Sequence, residues 1–262
     1  MSFRKKIHNV KINVQNLIFK NSFLYKKYLG GKINLDLDLL KNVQSNTVLK
    51  DKIEIDEYFN IIKSLGLPVR SDRTKNWDTL ITYSEIVKNL NSDSVILDAG
   101  AEIYSMILPW LFLTGYKNLF GNNLVFSKKF KRGSIVYNYG DITNTDFPPK
   151  NFDAISCLSV IEHGVNIDKF FMEMQRILKP GGILILSTDY FQTKINTEGK
   201  FEYGSQIKIF CEKEIEALIH TADNYQFKIT SKVELKSFEK PVRWERFDLD
   251  YTYICLTFQK IV

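Results

Sequence analysis

The residues with the clearest chemical potential follow a short apolar run, Val95-Ile96-Leu97, and form an Asp98-Ala99-Gly100 turn. Ligands of open α/β sheets bind beyond the carboxyl ends of the strands, so this turn is the first candidate binding site. A second candidate is His163, which directly follows Glu162 after another apolar run. An imidazole exchanges protons near neutral pH, and His163 is therefore a candidate general base.

Strands and helices alternate around these residues, which predicts a parallel sheet covered by helices on both faces. Apolar runs between turn residues predict strands at Val95–Leu97, Asn118–Phe126 with its loop, Ser134–Tyr139, Phe152–Leu158, Ile183–Ser187, Phe227–Thr230 and Tyr251–Phe258. Helical periodicity predicts helices at residues 12–29, 54–65, 78–90, 168–178 and 212–220. The period changes near Ser94, which indicates a helical extension over residues 1–90 and an α/β domain over residues 91–262.

Five segments resemble, in order and spacing, the motifs of class I S-adenosylmethionine-dependent methyltransferases, with a type 11-like domain. They are Val95–Glu102 (motif I), Tyr116–Phe126 (the ribose-binding strand), Tyr139–Ile142 (the adenine segment), Phe152–His163 (the fourth strand and its loop) and Ile177–Gly182 (the signature after a helix). The resemblance implies a Rossmann-like, mostly parallel seven-stranded sheet, with S-adenosyl-L-methionine as the cofactor and no metal.

Cofactor contacts are implied by the same resemblance, although two positions depart from the family pattern. The implied contacts are Asp98, Gly100, Ala101, Glu102, Asn122, Leu124, Asp141, Ile142, Leu158 and Ser159. Glu102 and Tyr104 occupy positions where the family has glycine. Asn122 stands where an acid usually accepts from the ribose, and a neutral acceptor forfeits about 1–2 kcal/mol of binding.

The resemblance also places His163, Asp189 and Tyr190 where the acceptor is expected, as candidate catalytic residues. His163 is interpreted as a base for a hydroxyl, or alternatively as a residue that only shapes the pocket. Asp189 and Tyr190 are interpreted as acceptor contacts, or alternatively as a helix cap and a packed aromatic. The segment Ser187–Tyr190 and Ile209-Phe210 resemble a bacterial group associated with cell-surface glycans, so the acceptor is expected to be a small molecule or a glycan.

Two further functions compete with O-methylation of a small molecule or glycan. A scaffold protein with a decayed cofactor site would explain the two departures from the family pattern. A nucleic-acid methyltransferase would explain the pI of about 9.0. The loop Leu158–Ile161 disfavours the second, because amino-directed nucleic-acid enzymes place an Asp/Asn-Pro-Pro-aromatic motif there.

Composition and charge bound these interpretations. With 44% hydrophobic and 25% charged residues, the chain is typical of a folded globular protein, and Ile107–Leu113 is too short to span a bilayer. Three scattered cysteines and the absence of a signal-peptide pattern predict reduced thiols and a cytoplasmic location. Residues 1–35 hold eight cations and no anion, which predicts a packed basic helix, a dimer contact, or contact with a membrane surface or anionic substrate.

Overall fold

The computed structural model describes residues 12–261, and the elements below are those of this range. The helices are α1 (Ser22–Leu29), α2 (Lys52–Ser64), α3 (Lys75–Asn89), α4 (Ile107–Leu113), α5 (Ile167–Ile177) and α6 (Glu212–Asn224). The strands are β1 (Thr47–Val48), β2 (Val95–Ala99), β3 (Asn118–Asn123), β4 (Phe130–Arg132), β5 (Ile135–Tyr139), β6 (Phe152–Leu158), β7 (Leu178–Tyr190), β8 (Phe201–Glu202), β9 (Ser205–Gln206), β10 (Phe227–Ile229), β11 (Val242–Trp244) and β12 (Leu249–Lys260). Residues 12–18 are also helical.

Within the described range, one sheet of ten strands runs through the molecule in the order β1-β12-β7-β6-β2-β3-β5-β4, with β10 and β11 also paired to β12. The five central strands β5, β3, β2, β6 and β7 pair in parallel. Strand β12 is antiparallel to β7. Strands β2 and β6 and the Ile183–Tyr190 part of β7 are almost continuously buried because helices cover both faces of the sheet. The predicted mostly parallel, Rossmann-like α/β class is confirmed.

The N-terminal extension packs directly on this sheet. Strand β1 pairs with β12, with Thr47 opposite Cys255. Helix α3 buries Trp77, Leu80 and Ile81 in the same hydrophobic cluster as Ile96 of β2. The beginning of α3 is therefore held against the end of the sheet where ligands of this fold bind.

Several boundaries differ from the sequence prediction for local reasons. The helix predicted over residues 12–29 is interrupted before Ser22, because the Asn21 side chain accepts hydrogen bonds from the N–H groups of Phe23 and Leu24 and starts a new helix. Helix α3 begins at Lys75, so Asp78 lies inside the helix and does not cap it. The Lys179–Gly182 segment belongs to β7, where it accompanies a shift in the pairing register with β6.

Residues 12–261 contain no disulfide bond, no metal-binding cluster and no helix suited to span a membrane. Cys157 and Cys255 are buried free thiols in strands. In this range, no group of three His, Cys, Asp or Glu side chains has an arrangement that would hold a metal ion. No helix of the described residues has the length and apolarity needed to cross a membrane.

Candidate active site

A cavity of about 1020 Å³ opens at the carboxyl ends of the parallel strands. Cavities that hold drug-sized ligands are typically about 300–1,000 Å³, so this one has room for a nucleoside-sized cofactor together with an acceptor. Its wall includes Asp98, Gly100, Glu102, Asn123, Leu124, Asp141, Ile142, Leu158, Ser159, His163 and Asp189, and, from the extension, Arg70, Lys75 and Asp78. Most residues predicted as site residues therefore meet in one place.

The turn after β2 has a backbone conformation that requires glycine. Gly100 has a φ of +87°, and a Cβ atom there would lie 2.4 Å from Cγ2 of Val160. Its N–H donates to the carbonyl oxygen of Asn122 at 2.8 Å. The bare backbone thus forms a cradle between two loops, as expected where a main chain approaches a bound cofactor closely.

Asp98 lies at the bottom of this cradle and is only 3% exposed. The hydroxyl of Ser156 donates to its Oδ1 at 2.8 Å. Burial raises the pKa of Asp98 to about 7, against the opposing effect of that hydrogen bond. The carboxyl group can therefore exchange a proton near neutral pH, although the sequence gives no sign of this.

At the end of β3, the structure places the neighbour of the predicted ribose contact on the cavity wall. Asn122 is 2% exposed and does not line the cavity, whereas its neighbour Asn123 does, because successive side chains of a strand point to opposite faces. Nδ2 of Asn123 donates to the carbonyl oxygens of Gly100 at 2.9 Å and of Ala101 at 3.1 Å. The Asn123 side chain therefore stabilises the turn after β2. Ala101, also predicted as a contact, is buried, and its carbonyl oxygen accepts one of these hydrogen bonds.

The two side chains at the missing glycine positions both line the cavity. Glu102 is half-buried, and burial raises the pKa of its carboxyl group. Tyr104 is 53% exposed, and its ring centre lies 5.3 Å from the guanidinium carbon of Arg70. A tyrosine therefore lies at the mouth of the cavity, where its ring contacts a cation of the N-terminal extension.

Other predicted cofactor contacts line the wall of the cavity from the loops after β3, β5 and β6. Oδ1 of Asp141 accepts from both the N–H and the hydroxyl of Thr143 at 2.8 Å, which fixes the loop after β5. Ser159 has a φ of +54°, uncommon for a residue with a side chain, and its N–H donates to the carbonyl of Ser187 at 3.0 Å. Ile142, Leu124 and Leu158 supply the apolar part of this wall, and Leu124 is 59% exposed at the rim.

His163 lines the cavity as a partly buried imidazole. Its Nδ1 is buried and has no hydrogen-bond partner among the described residues. Its ring packs edge-on to Tyr203 of the β8–β9 hairpin, with 5.0 Å between the ring centres. Burial and the positive charge of Lys75 lower the pKa of His163 from its usual value of about 6.5, so the ring is neutral at pH 7.

Lys75, the first residue of α3, is a site residue that sequence reasoning missed. Its Nζ donates to the hydroxyl of Ser159 at 2.6 Å and lies 4.0 Å from the ring centre of Tyr253. Burial opposes its charge, but Asp189 and Asp78 outweigh burial and raise its pKa. No local motif marks this lysine, because only the packing of α3 on the sheet carries it into the cavity.

Carboxylates surround Lys75 on the floor of the cavity. The hydroxyl of Ser187 donates to Oδ2 of Asp78 at 2.7 Å, and the hydroxyl of Thr188 donates to Oε2 of Glu162 at 3.0 Å. Burial raises the pKa values of both Asp189 and Glu162, while Lys75 acts in the opposite direction. This part of the cavity is therefore a polar floor in which Lys75 lies among several acids.

Tyr190 does not fit its predicted role as an acceptor contact. It is fully buried in the hydrophobic cluster on the other face of the sheet, and its hydroxyl donates to the carbonyl oxygen of Leu235 at 2.6 Å. Asp189 and Tyr190 are adjacent in β7 and must point to opposite faces. Since Asp189 lines the cavity, Tyr190 is the packed aromatic of the alternative interpretation.

Known proteins resemble this chain at the level of the domain and the fold. A family model described as a methyltransferase domain matches residues 118–186. A solved structure, the [4+2]-cyclase SpnF, has a TM-score of 0.54 at 16% identity and covers 74% of this chain and 85% of its own. At that identity the likeness shows the fold alone.

Curated relatives are distant and differ in what they act on. A tRNA U34 carboxymethyltransferase of Campylobacter concisus is 25% identical over 78% of this chain and 77% of its own length. A ubiquinone biosynthesis O-methyltransferase of Rickettsia conorii is 22% identical over 70% and 60%. A sterol 24-C-methyltransferase of Candida albicans is 24% identical over 45% of this chain, which spans only 34% of that relative. The domain match, the strand order and a cavity at the carboxyl ends of the strands together support a class I S-adenosylmethionine-dependent methyltransferase.

Proposed function

We propose that this chain transfers the methyl group of S-adenosylmethionine to a hydroxyl group of a small molecule or glycan, with His163 as the base. The observation that carries the proposal is the position of His163, whose partly buried imidazole lines the same cavity as Lys75 and Asp189. Burial and Lys75 keep its pKa low, so it is ready to accept a proton at pH 7. The ubiquinone relative, named as an O-methyltransferase, is consistent with this chemistry.

The residues present fit the cofactor, which supplies a methyl group on a positively charged sulfur. The Gly100 cradle, which a Cβ atom would fill, admits the close approach of a ligand. Asp141 and Ile142 line the wall where the resemblance places the adenine. Asp98 and Glu102 line the same cavity and are available to accept from polar groups of the cofactor.

The protein has to position the acceptor oxygen in line with the methyl group and remove its proton. When bound, S-adenosylmethionine would supply a methyl group to the acceptor oxygen and leave as the neutral thioether, and His163 would take the proton of the acceptor hydroxyl. Trp244 lines the cavity and is only partly buried, so its ring offers a flat surface for the ring of an acceptor.

The first experiment measures cofactor binding, because enzymes with this fold catalyse different reactions. SpnF is a [4+2]-cyclase, so the fold does not determine the reaction. We expect calorimetry to show one-to-one binding of S-adenosylhomocysteine to the full chain. The absence of both heat and a thermal shift at about millimolar ligand would overturn the enzyme proposal and favour a scaffold protein.

The second experiment measures formation of S-adenosylhomocysteine with a panel of hydroxyl compounds, sugars and tRNA. We expect His163→Asn to bind the cofactor normally but to lose about 10²–10⁴-fold in rate, the usual contribution of a general base. Lys75→Met removes a charge that lowers the pKa of His163, so its pH–rate profile should move to higher pH. Turnover of tRNA alone, or an active His163→Asn enzyme, would contradict the proposal.

A further inference from the structure

Several large apolar side chains lie exposed on two successive helices near the N-terminus of the described chain. We call this group the N-terminal patch; its members, with their exposed fractions, are Val14 (51%), Leu17 (67%), Ile18 (48%), Phe23 (73%), Leu24 (41%) and Tyr28 (58%). Val14, Leu17 and Ile18 have helical spacing and share one face of the helix at residues 12–18. Single exposed apolar residues are ordinary, whereas a cluster of this kind marks an interaction surface.

The opposite faces of the same helices are firmly anchored, so the patch is presented by ordered structure. Phe19 and Tyr25 are buried, and their ring centres lie 5.4 Å apart. Nε of Arg132 donates to Oδ1 of Asn16 at 2.8 Å, and the N–H of Gly133 donates to the carbonyl of Phe19 at 2.7 Å. The inward faces of these helices therefore pack on the protein core. No described residue covers their outward faces.

Exposed lysines from two parts of the chain lie near the N-terminal patch. The exposed lysines are Lys20, Lys26 and Lys27 from the N-terminal helices, and Lys128, Lys129 and Lys131 from the segment just before Arg132. None of these six forms a salt bridge within residues 12–261, and no acid precedes Asp36 in the sequence. The tertiary fold thus brings a second basic segment beside the first, which the sequence alone does not reveal.

We propose that the N-terminal patch docks this protein on the surface of an anionic lipid membrane. Aliphatic and aromatic side chains surrounded by lysines are the combination that lies at the headgroup boundary, with the apolar groups inserted and the cations against lipid phosphates. A symmetric contact with a second copy would bring like-charged lysines together. Phe23 and Tyr28 could stack on nucleic-acid bases, but the other four of the six patch members are aliphatic, which favours lipid over RNA.

The same surface leads to the rim of the cavity. Leu124 and Val125 line the cavity and are 59% and 57% exposed. Three residues further along the chain the basic segment begins at Lys128. A membrane that contacts this segment would lie close to the cavity mouth. The docking proposal does not depend on methyl transfer and is tested without it.

The experiment is co-sedimentation of the full chain with vesicles of phosphatidylcholine alone or mixed with phosphatidylglycerol. We expect binding to be about tenfold or more tighter on the mixed vesicles and to weaken as salt rises, because the lysine contribution is screened. Leu17→Ser/Phe23→Ser and, separately, Lys20→Gln/Lys27→Gln should each lose about tenfold in affinity. Both variants change exposed side chains and should keep the wild-type melting temperature.

Ile53→Ser/Phe238→Ser is the matched control, because both residues are exposed apolar side chains away from the patch, at 68% and 90% exposure. This control should bind vesicles like the wild type. Equal binding to neutral and anionic vesicles, or equal loss in the control, would overturn the proposal. So would a dimer in sedimentation velocity that only the patch variants break, or RNA binding with no vesicle binding.

Discussion

The side-chain amide of Asn123 donates hydrogen bonds to the turn after β2, whereas an acid that binds ribose would accept hydrogen bonds from the ligand. We expect Asn123→Asp to weaken cofactor binding and to lower the free energy of unfolding by about 1–3 kcal/mol, because two carbonyl oxygens lose their donor and face a carboxylate. Calorimetry with S-adenosylhomocysteine and urea unfolding measure the two effects. Tighter binding in this variant would show that the family's acidic ribose contact is restored.

Asn196→Asp is a suitable control for this substitution. The Asn196 side-chain oxygen accepts from the N–H of Glu198 at 2.9 Å, and a carboxylate retains that bond. Binding and stability should therefore remain close to wild type, although the net charge changes equally.

The Asp98 carboxyl group should make the stability of the protein depend on pH. Burial raises its pKa to about 7, above the value of about 3.9 in an unfolded chain, so the folded state holds the proton more tightly. Its stabilising contribution is complete below about pH 4 and is lost as the pH rises through about 7. We expect the melting temperature of Asp98→Asn to fall less than that of the wild type between about pH 5 and pH 8.

Asp146→Asn tests whether that difference is specific, because Asp146 is an exposed carboxyl outside the cavity wall. The control should follow the wild-type pH dependence. If Asp98→Asn follows it as well, the folded-state pKa of Asp98 is not raised.

At the scale of elements, the turn after β2 and the loop after β6 meet at Gly100 and Val160. We expect Gly100→Ala to weaken cofactor binding and lower the melting temperature, since the new Cβ would meet Cγ2 of Val160 at 2.4 Å. Adding Val160→Ala should recover part of the loss by removing that methyl group. A double variant no better than Gly100→Ala would show that backbone strain alone is responsible.

Gly199→Ala separates steric contact from backbone strain. Gly199 has a φ of +72°, but a Cβ atom there would have nothing within 4 Å. Its loss of stability therefore reports the cost of the left-handed backbone alone, about 1–2 kcal/mol. The excess loss in Gly100→Ala reports the contact between the two loops.

At the scale of the whole molecule, the N-terminal helices belong to the core as well as to the surface. We expect a chain that begins at Asp36 to lose about 3 kcal/mol or more of unfolding free energy, because Phe19 and Tyr25 leave a hydrophobic cluster. Urea unfolding measures this, with a chain that begins at Ile12 as the control. Unchanged stability in the shorter chain would mean that these helices do not pack as described.

The sequence by itself determined the elements that are local in origin. Strand β6 lies at Phe152–Leu158, as the apolar run predicts, and the Asp98–Gly100 turn lies at the carboxyl end of β2. Apolar runs, turn residues and motif spacing are properties of neighbouring residues, so they can be read without the fold. The fold class and the general position of the cavity follow from them.

Tertiary structure alone decided which side chains share the cavity. Lys75 reaches Ser159 across 84 positions of the chain, and no local pattern specifies that contact. The faces of Asn123 and Tyr190 also depended on strand register, because a shift of one residue sends a side chain to the opposite side of the sheet. The sequence therefore specified the loops that contain Gly100 and Asp141 through local turns, whereas long-range packing of α3 and β7 placed Lys75 and Asp189 in the same cavity.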